Sequence, residues 1–370
     1  METKSIRIAV VIHALHSGGA ERITAQLASH WARRGHDVTL ITLDSVQSDL
    51  YQVDARVKRI GLDLMRTSRN RREAVSGNLR RLRCLRRAVR AVGPACVVSV
   101  TDRMNVMTLL ACRGLEIPVV VAEQIDPRHQ TMPQPWEWLR TRTYRHATVA
   151  VALTNDIAQH LRTRWRVPTT RVIPNGVELP GQMIARPPGQ REKRIVAMGR
   201  LNRQKGFDRL ISAFAEIAAE WPDWKLRILG EGAERAALET QCVKLGLQTR
   251  VELPGWVNDP WAELGSAALF VLSSRYEGFP VVLLEAMACG TPVVCFDCQS
   301  GPAEIVRPNI DGVLVPPDDV TALRAAIASL LEDPARRQTL GTRAREVIDR
   351  FSLAKLYTRW DSLLEELINR

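Results

Sequence analysis

The sequence predicts an α/β protein of two domains, each a parallel sheet covered by helices, and three observations lead there. Its 370 residues exceed what a single core usually serves, since domains hold about 100–200 residues. Short β-branched runs alternate with helical apolar periodicity in two separate series, the pattern of βα repetition. Between the series, residues 174–193 hold Pro174, Pro180, Pro187 and Pro188 with Gly176, Gly181 and Gly189, the richest loop composition in the chain. The expected division is therefore an N-terminal domain at 1–173, a linker at 174–193, a C-terminal domain at 194–350 and a last helix at 351–370 able to pack back on the N-terminal domain. An apolar fraction of 45% with 25% charged residues excludes disorder, collagen and a disulfide scaffold.

In the first series, strands are expected at 6–13, 37–42, 57–62, 96–100, 118–122 and 148–153. The first of these follows the amino terminus with no cleavage-type segment, so it reads as a strand rather than a secretion signal, and the expected location is the cytoplasm. No apolar run approaches the roughly 18 residues of a spanning helix. The helical segment before the fourth strand is unusual: ten arginines from Arg66 to Arg90 have only Glu73 as an acidic neighbour. At about 100° per residue, Val75, Leu79, Leu82, Leu85 and Val89 share one arc, and Arg72, Arg80, Arg83, Arg87 and Arg90 the adjacent one.

Charge is distributed unevenly along the chain. Of the net +12, residues 1–180 carry 28 Lys and Arg against 15 Asp and Glu, net +13, and the remainder is net −1. A basic amphipathic helix suits either a solvated face over a sheet or docking on anionic lipid headgroups. A second patch, Trp136, Trp138, Arg140, Arg142, Tyr144 and Arg145, mixes interfacial aromatics with arginines and reads as a candidate contact with the same membrane surface. Nucleic acid is not an expected partner, because the arginine run lacks aromatic platforms and no nucleic-acid module is present.

In the second series, strands are expected at 194–198, 225–229, 268–272 and 292–296, with helices near 207–220, 234–245 and 281–289, then helices to the end after Asp318. Seven cysteines, odd in number and scattered, read as reduced core thiols; Cys295 and Cys298 lack the second ligand pair that a zinc site requires. Gly230-Glu231-Gly232-Ala233-Glu234-Arg235 matches a dinucleotide fingerprint only in part, since Arg235 replaces its third glycine, and leaves an NAD-type dehydrogenase as a distant alternative.

The strongest local signal is Ser274-Arg275-Tyr276-Glu277-Gly278-Phe279-Pro280-Val281, continuing to Glu285. A strand ends, Gly278 and Pro280 shape a turn, and a helix opens with the N–H groups of about Val281 to Leu283 exposed, an anion-binding start at the carboxyl end of a parallel strand. Glu277 lies before this helix beside the anion, whereas Glu285 sits a little over two turns in, so their roles should differ. This segment resembles the E-x7-E motif of family 4 glycosyltransferases, retaining enzymes of the GT-B fold with two Rossmann-like domains facing across a cleft. The resemblance extends to Gly199-Arg200-Leu201-Asn202-Arg203-Gln204-Lys205-Gly206, and to the glycine-rich loop Ser17-Gly18-Gly19-Ala20-Glu21-Arg22 after the first strand.

What the resemblance implies is specific. Arg200 and Lys205 match the pair that holds the donor diphosphate, where fixed cations stabilise leaving-group charge; Gly18 and Gly19 let backbone approach the phosphates. Glu277 faces the donor sugar, Glu285 binds ribose hydroxyls, and Gly278, Phe279, Pro280 and Val281 line the donor site. Gly230, Trp256 and Val257 fall near the nucleobase. His13 and Glu123, at carboxyl ends of strands, are candidates for contact with acceptor or donor sugar, although His13 fits a structural role better.

The expected reaction moves a hexose or N-acetylhexosamine from a nucleotide diphosphate sugar, a UDP-sugar first, to a lipid-linked glycan acceptor in surface polysaccharide assembly. Such an acceptor places the protein peripherally on the inner face of the cell membrane. No cofactor or metal ligand is required by the motifs, with Mg2+ left open as a stimulatory ion. The alternatives are transfer to a soluble acceptor and an inactive scaffold that binds nucleotide sugars.

Overall fold

The computed structural model describes residues 5–16, 18–65, 69–129, 132–180 and 190–368. The chain divides into two compact units, one of Met1–Pro174 with Leu356–Arg370 and the other of Asn175–Lys355. Of the expected linker, residues 181–189 lie outside the described residues, as do Ser17 of the glycine-rich motif and Arg66 of the arginine run. The first unit ends at Pro174, and the described residues 175–180 and 190–193 of the expected linker fall in the second unit. Asn175 and Val177 bond to Phe279 and Phe351 of the second unit, and its first strand already begins at Glu192. A high Pro and Gly content marked irregular backbone, but irregular backbone can still be hydrogen-bonded into a domain.

The first unit contains β1 (Arg7–Ile12), α1 (Gly19–Arg33), β2 (Asp37–Thr42), β3 (Lys58–Gly61), α2 (Arg71–Val92), β4 (Cys96–Val100), α3 (Asp102–Cys112), β5 (Val119–Ala122), α4 (Gln134–Thr143), β6 (Val149–Ala152), α5 (Asn155–Trp165) and β7 (Thr170–Val172). Its seven strands are all parallel in the order β3-β2-β1-β4-β5-β6-β7. Strands β1 and β4 are buried almost throughout, which explains their unbroken Val and Ile runs: both faces of a parallel sheet are covered. The chain order reverses at β1, so the carboxyl ends of β1 and β4 flank a topological switch point, where open α/β sheets bind ligands.

The second unit contains β8 (Glu192–Met198), α6 (Phe207–Ile217), β9 (Lys225–Leu229), α7 (Arg235–Lys244), β10 (Val251–Gly255), α8 (Pro260–Ser266), β11 (Ala267–Leu272), α9 (Val281–Ala288), β12 (Val293–Phe296), α10 (Pro302–Ile305), β13 (Val313–Val315), α11 (Val320–Glu332), α12 (Pro334–Ala344) and α13 (Val347–Arg350). Six parallel strands run in the order β10-β9-β8-β11-β12-β13, the Rossmann order, with the switch point between β8 and β11. A continuous core of Leu210, Phe214, Ile228, Leu269, Phe296 and Ile327 lies between sheet and helices. The last helix, α14 (Leu353–Ile368), belongs to the first unit from Leu356 onward. There Asp361 accepts bonds from Trp31 Nε1 at 3.1 Å and Arg34 Nη1 at 2.8 Å and pairs with His30 at 3.0 Å.

Three strands escaped the sequence reading: β7, β10 and β13. All three are edge strands, where only one neighbour is needed; β7 and β13 have three residues each, and the apolar pattern of β7 and β10 is diluted by Arg171, Glu252 and Pro254. The arginine helix forms as expected, started by the Asn70 side chain accepting from Glu73 N and ended by Gly93 in the left-handed region. Its apolar arc is only half used. Leu85 and Val89 are buried, whereas Val75 is 61% and Leu79 46% exposed, beside exposed Arg80, Arg83 and Arg87. Among the described residues no helix is long and apolar enough to cross a membrane.

Candidate active site

Two loops of the second unit meet at its switch point. After β8 comes Gly199-Arg200, then a tight turn that Asn202 closes by accepting from Lys205 N at 3.3 Å. After β11 comes Ser273 to Pro280. The loops interlock: Arg275 N donates to Gln204 O at 2.8 Å, Gln204 Nε2 to Tyr276 O at 3.1 Å, and Ser273 Oγ to Lys205 O at 3.0 Å. Arg275 grips both carboxylate oxygens of Asp208 at 2.8 and 2.6 Å and Arg203 O at 2.7 Å, a fork that only a guanidinium supplies. Gly206 makes this approach possible, because its φ is 63° and a Cβ would collide with Ser273 O.

The candidate side chains converge from these loops. Lys205 Nζ lies 2.6 Å from Glu277 Oε1, and Ser274 Oγ donates to the same oxygen at 2.6 Å. Glu277 is buried, so the ammonium supplies compensation that an isolated interior carboxylate would lack. Arg200 is exposed at the end of β8. Pro280 opens α9 without a side-chain cap, so the first N–H groups of the helix form its anion-attracting end. Phe279 packs edge-on against Phe351 at 5.2 Å and is itself buried, while its carbonyl accepts from Asn175 Nδ2 at 3.4 Å.

Glu285 is buried and stands one turn into α9 rather than the two expected, because α9 starts at Val281, where the sequence placed its start, and Glu285 is four residues on. Helical side chains lean toward the amino terminus, so Glu285 is directed to the same end of α9 as Val281.

The thiol of Cys298 adjoins this site. Burial, and after it the charge of Glu277, pushes it up to about 12. Cys295 is likewise pushed well up by burial, so neither carries the low-pKa thiolate of redox cysteines, and all seven cysteines are free. Among the described residues no group of three or more His, Cys, Asp or Glu side chains is placed to hold a metal ion.

Gly230 and its neighbours stack the loops after β8, β9 and β10 through Gly230 N to Gly255 O at 2.8 Å and Leu201 N to Glu231 O at 2.8 Å. A side chain at Gly230 would strike Gly199 O, so this glycine lets the loops after β8 and β9 pack together. Arg235, in place of the fingerprint's third glycine, is bound to Glu231 at 2.5 Å and Glu239 at 3.0 Å. Trp256, just past β10, is 60% exposed, and Val257 beside it is half-buried.

In the first unit, Gly18 caps α1 with no side-chain bond, but the buried Glu21 carboxylate folds back to where a Cβ on Gly18 would stand. His13 Nε2 lies 3.5 Å from Glu21 Oε1. Glu123, expected to contact a sugar, is turned inward: Tyr144 OH donates to its Oε1, and Asn105 Nδ2 donates to Tyr144 OH at 3.2 Å.

The expected aromatic-arginine patch is corrected by the same cluster. Arg140 and Tyr144 are buried, the guanidinium 4.2 Å from the Trp165 ring, whereas Trp138 is 54% exposed under Arg142 and Trp136 is half-buried beside Arg103. Arg140 lies one turn on from Trp136 and packs inward on Trp165 of α5, a placement that residue type alone hides.

The chain matches two family profiles in tandem: "Glycosyltransferase Family 4" over residues 17–179 and "Glycosyl transferases group 1" over residues 184–347. It is 25% identical over 366 residues, 98% of this chain and 99% of the other, to the Campylobacter jejuni GalNAc-α-(1→4)-GalNAc-α-(1→3)-diNAcBac-PP-undecaprenol α-1,4-N-acetyl-D-galactosaminyltransferase. An exopolysaccharide phosphotransferase of Streptomyces coelicolor is 41% identical over 179 residues, which is 48% of this chain but 19% of that protein's length. The fold is shared with the Anabaena protein HepE solved with UDP-glucose, at a TM-score of 0.77 and 19% identity over 98% of this chain and 100% of that one.

Proposed function

Because the chain belongs to the family 4 glycosyltransferases, we propose that it transfers a hexose or N-acetylhexosamine, with retention, from a UDP-sugar to a lipid-linked glycan acceptor in polysaccharide assembly. The observation that carries this reading is the convergence of Lys205, Glu277, Ser274 and the open end of α9 on the switch point of the second unit. A nucleotide diphosphate fits there by its charge. Arg200 and Lys205 meet the phosphates, the α9 N–H groups add a partial positive charge, and Glu285 accepts from ribose hydroxyls.

As the glycosidic bond breaks, negative charge grows on the departing UDP, and these fixed groups stabilise it without reorganising. The acceptor oxygen attacks the anomeric carbon from the face UDP leaves, and a donor phosphate oxygen takes the acceptor proton. Glu277 accepts from a donor-sugar hydroxyl and steadies the sugar as the bond breaks. Since the cations and helix end supply the charge, no metal is required in this account, and Mg2+ acts at most as a stimulant.

The relatives support donor and acceptor: one acts on an undecaprenyl diphosphate-linked saccharide, and the fold neighbour was solved with UDP-glucose. Peripheral membrane contact on the cytoplasmic side is part of the proposal. It is supported by exposed Val75 and Leu79 beside Arg80, Arg83 and Arg87 on α2, and by the exposed Trp138–Arg142 pair.

The test is a panel of UDP-hexoses and UDP-N-acetylhexosamines with polyprenyl diphosphate-linked saccharides, scored by product formation and by anomeric configuration in NMR. An α-linked product from an α-linked donor supports the proposal. Inverted product, or turnover only on free oligosaccharides, counts against it.

A further inference from the structure

The helix α9, whose amino end forms part of the candidate site, is fastened at its other end. Its sequence from Val281 to Ala288 is apolar except for Glu285, and its last turn holds no basic residue to offset the partial negative charge there. The carboxyl end closes in a Schellman arrangement: Gly290, with φ 67°, donates to Met287 O at 2.8 Å, and Thr291 N donates to Ala286 O at 3.0 Å. That turn satisfies two of the end carbonyls and leaves Cys289 O pointing out of the helix.

The cation that meets this carbonyl comes from another part of the chain. Half-buried Arg191, immediately before β8, donates through Nη2 to Cys289 O at 2.8 Å and through Nη1 to Thr291 Oγ1 at 2.5 Å and Ala267 O at 3.0 Å. Thr291 Oγ1 in turn donates to Leu264 O at 2.7 Å, which ties α8 to the same point. The three acceptors of the guanidinium are neutral oxygens, an arrangement that costs desolvation without a carboxylate to offset it. Burial pulls the group down to about 10, which leaves it charged at neutral pH.

This clamp relates the two halves of the site from behind. Arg191 precedes β8, whose far end carries Arg200 and Lys205, and Ala267 begins β11, whose far end runs into Ser273 to Pro280. Helix α9 runs back along the sheet from the site to the clamp, about 12 Å at 1.5 Å per residue. A displacement of its carboxyl end therefore reaches its amino end, because a hydrogen-bonded helix packed in an interior moves as a body.

We propose that Arg191 is a positioning residue for the donor diphosphate: it fixes α9 relative to Arg200 and Lys205 and opposes the negative end of the helix, so that the amino end keeps its attraction for phosphate. This rests on the transferase reading above, in which that end of α9 meets the nucleotide diphosphate. It adds to that reading a residue at the opposite end of the strands from the ligand, one that acts only through the helix.

The experiment titrates UDP into the wild type, Arg191→Met and Arg191→Lys by calorimetry, and measures uridine, which has no phosphate, by its displacement of UDP. Thermal unfolding of the same preparations shows that each is folded. Arg191→Met is expected to weaken UDP about tenfold with uridine unchanged, the combined effect of a charge lost at the helix end and a small shift of its amino end. Arg191→Lys keeps the charge and some of the bonds, and is expected to recover part of the loss. Thr291→Val removes one acceptor while leaving the guanidinium; it is expected to weaken UDP about threefold, and it carries the test if Arg191→Met does not fold.

Equal weakening of UDP and uridine would mean that Arg191 supports the unit as a whole, and it overturns the proposal. Wild-type UDP affinity in folded Arg191→Met, or in Thr291→Val where that variant carries the test, overturns it as well. In both cases UDP binding by the wild type leaves the transferase reading standing, whereas a folded wild type that binds no UDP removes that reading and the proposal together.

Discussion

Lys205 Nζ and Glu277 Oε1, 2.6 Å apart, join the loop after β8 to the loop after β11 at the switch point of the second unit. The pair puts the cation proposed for the leaving phosphate against the carboxylate proposed for the donor sugar, so each sets the position of the other. Removing one partner leaves a charge without compensation. Because Lys205 and Glu277 are 17% and 7% exposed, Lys205→Ala should cost less than the about 3–5 kcal/mol of a fully buried pair and lower kcat by about 10²–10³. Lys205→Ala with Glu277→Gln should regain stability in thermal unfolding but no turnover, whereas recovered turnover would mean that the ammonium acts only structurally.

Arg275 and Asp208 form the brace of the same loops. The pair is partly exposed, so Arg275→Ala should change unfolding free energy by only about 1 kcal/mol or less. Its effect on kcat should be larger, since a shift of about 1 Å in Arg200 and Lys205 can cost on the order of 100-fold. Arg275→Lys should not restore the rate, because an ammonium cannot grip both carboxylate oxygens. Denaturation and steady-state kinetics on the same preparations separate the two effects.

Glu123 links stability to pH. Burial raises its carboxyl from 4.5 to about 7 in the folded protein, so between these values the folded state binds more protons than the unfolded one. Its contribution is complete below about 4.5 and is lost as pH rises through about 7. Wild-type melting temperature should carry a downward component across this window that Glu123→Gln lacks. Parallel profiles for the two proteins would show that Glu123 is ionised in both states.

The exposed half of α2 predicts membrane binding. Replacing Arg80, Arg83 and Arg87 by Ser should weaken binding to vesicles with anionic lipid by about 1 kcal/mol per residue at low salt, and Val75→Asp with Leu79→Asp should weaken it at any salt. Co-sedimentation across an ionic-strength series measures both. Binding that none of these changes affects would place the membrane contact elsewhere.

Much of this was legible in the sequence. The strands at 37–42 and 96–100 were read at their observed bounds because parallel strands buried on both faces appear as apolar, β-branched-rich runs, and the strand at 225–229 by its alternation of apolar and charged residues. The segment from Ser274 to Glu285 identified the turn and helix of the candidate site, since Gly278 and Pro280 punctuate the chain there. Side-chain direction was less legible. Nothing in Glu123, Arg140 or Tyr144 says that the three meet in the interior, because that depends on which strand end lies beside which helix. The Lys205–Glu277 pair, 72 residues apart in the chain, was hidden for the same reason.

The central claim is that the loops after β8 and β11 bind a nucleotide diphosphate, and titrating UDP into the wild type and into Glu285→Ala by calorimetry tests it most directly. The account predicts saturable binding by the wild type and a loss of about 1–3 kcal/mol in the variant, as deletion of a charged hydrogen bond gives. Equal affinity in both proteins would remove Glu285 from the site, and a wild type silent toward UDP, GDP and ADP alike would contradict the claim itself.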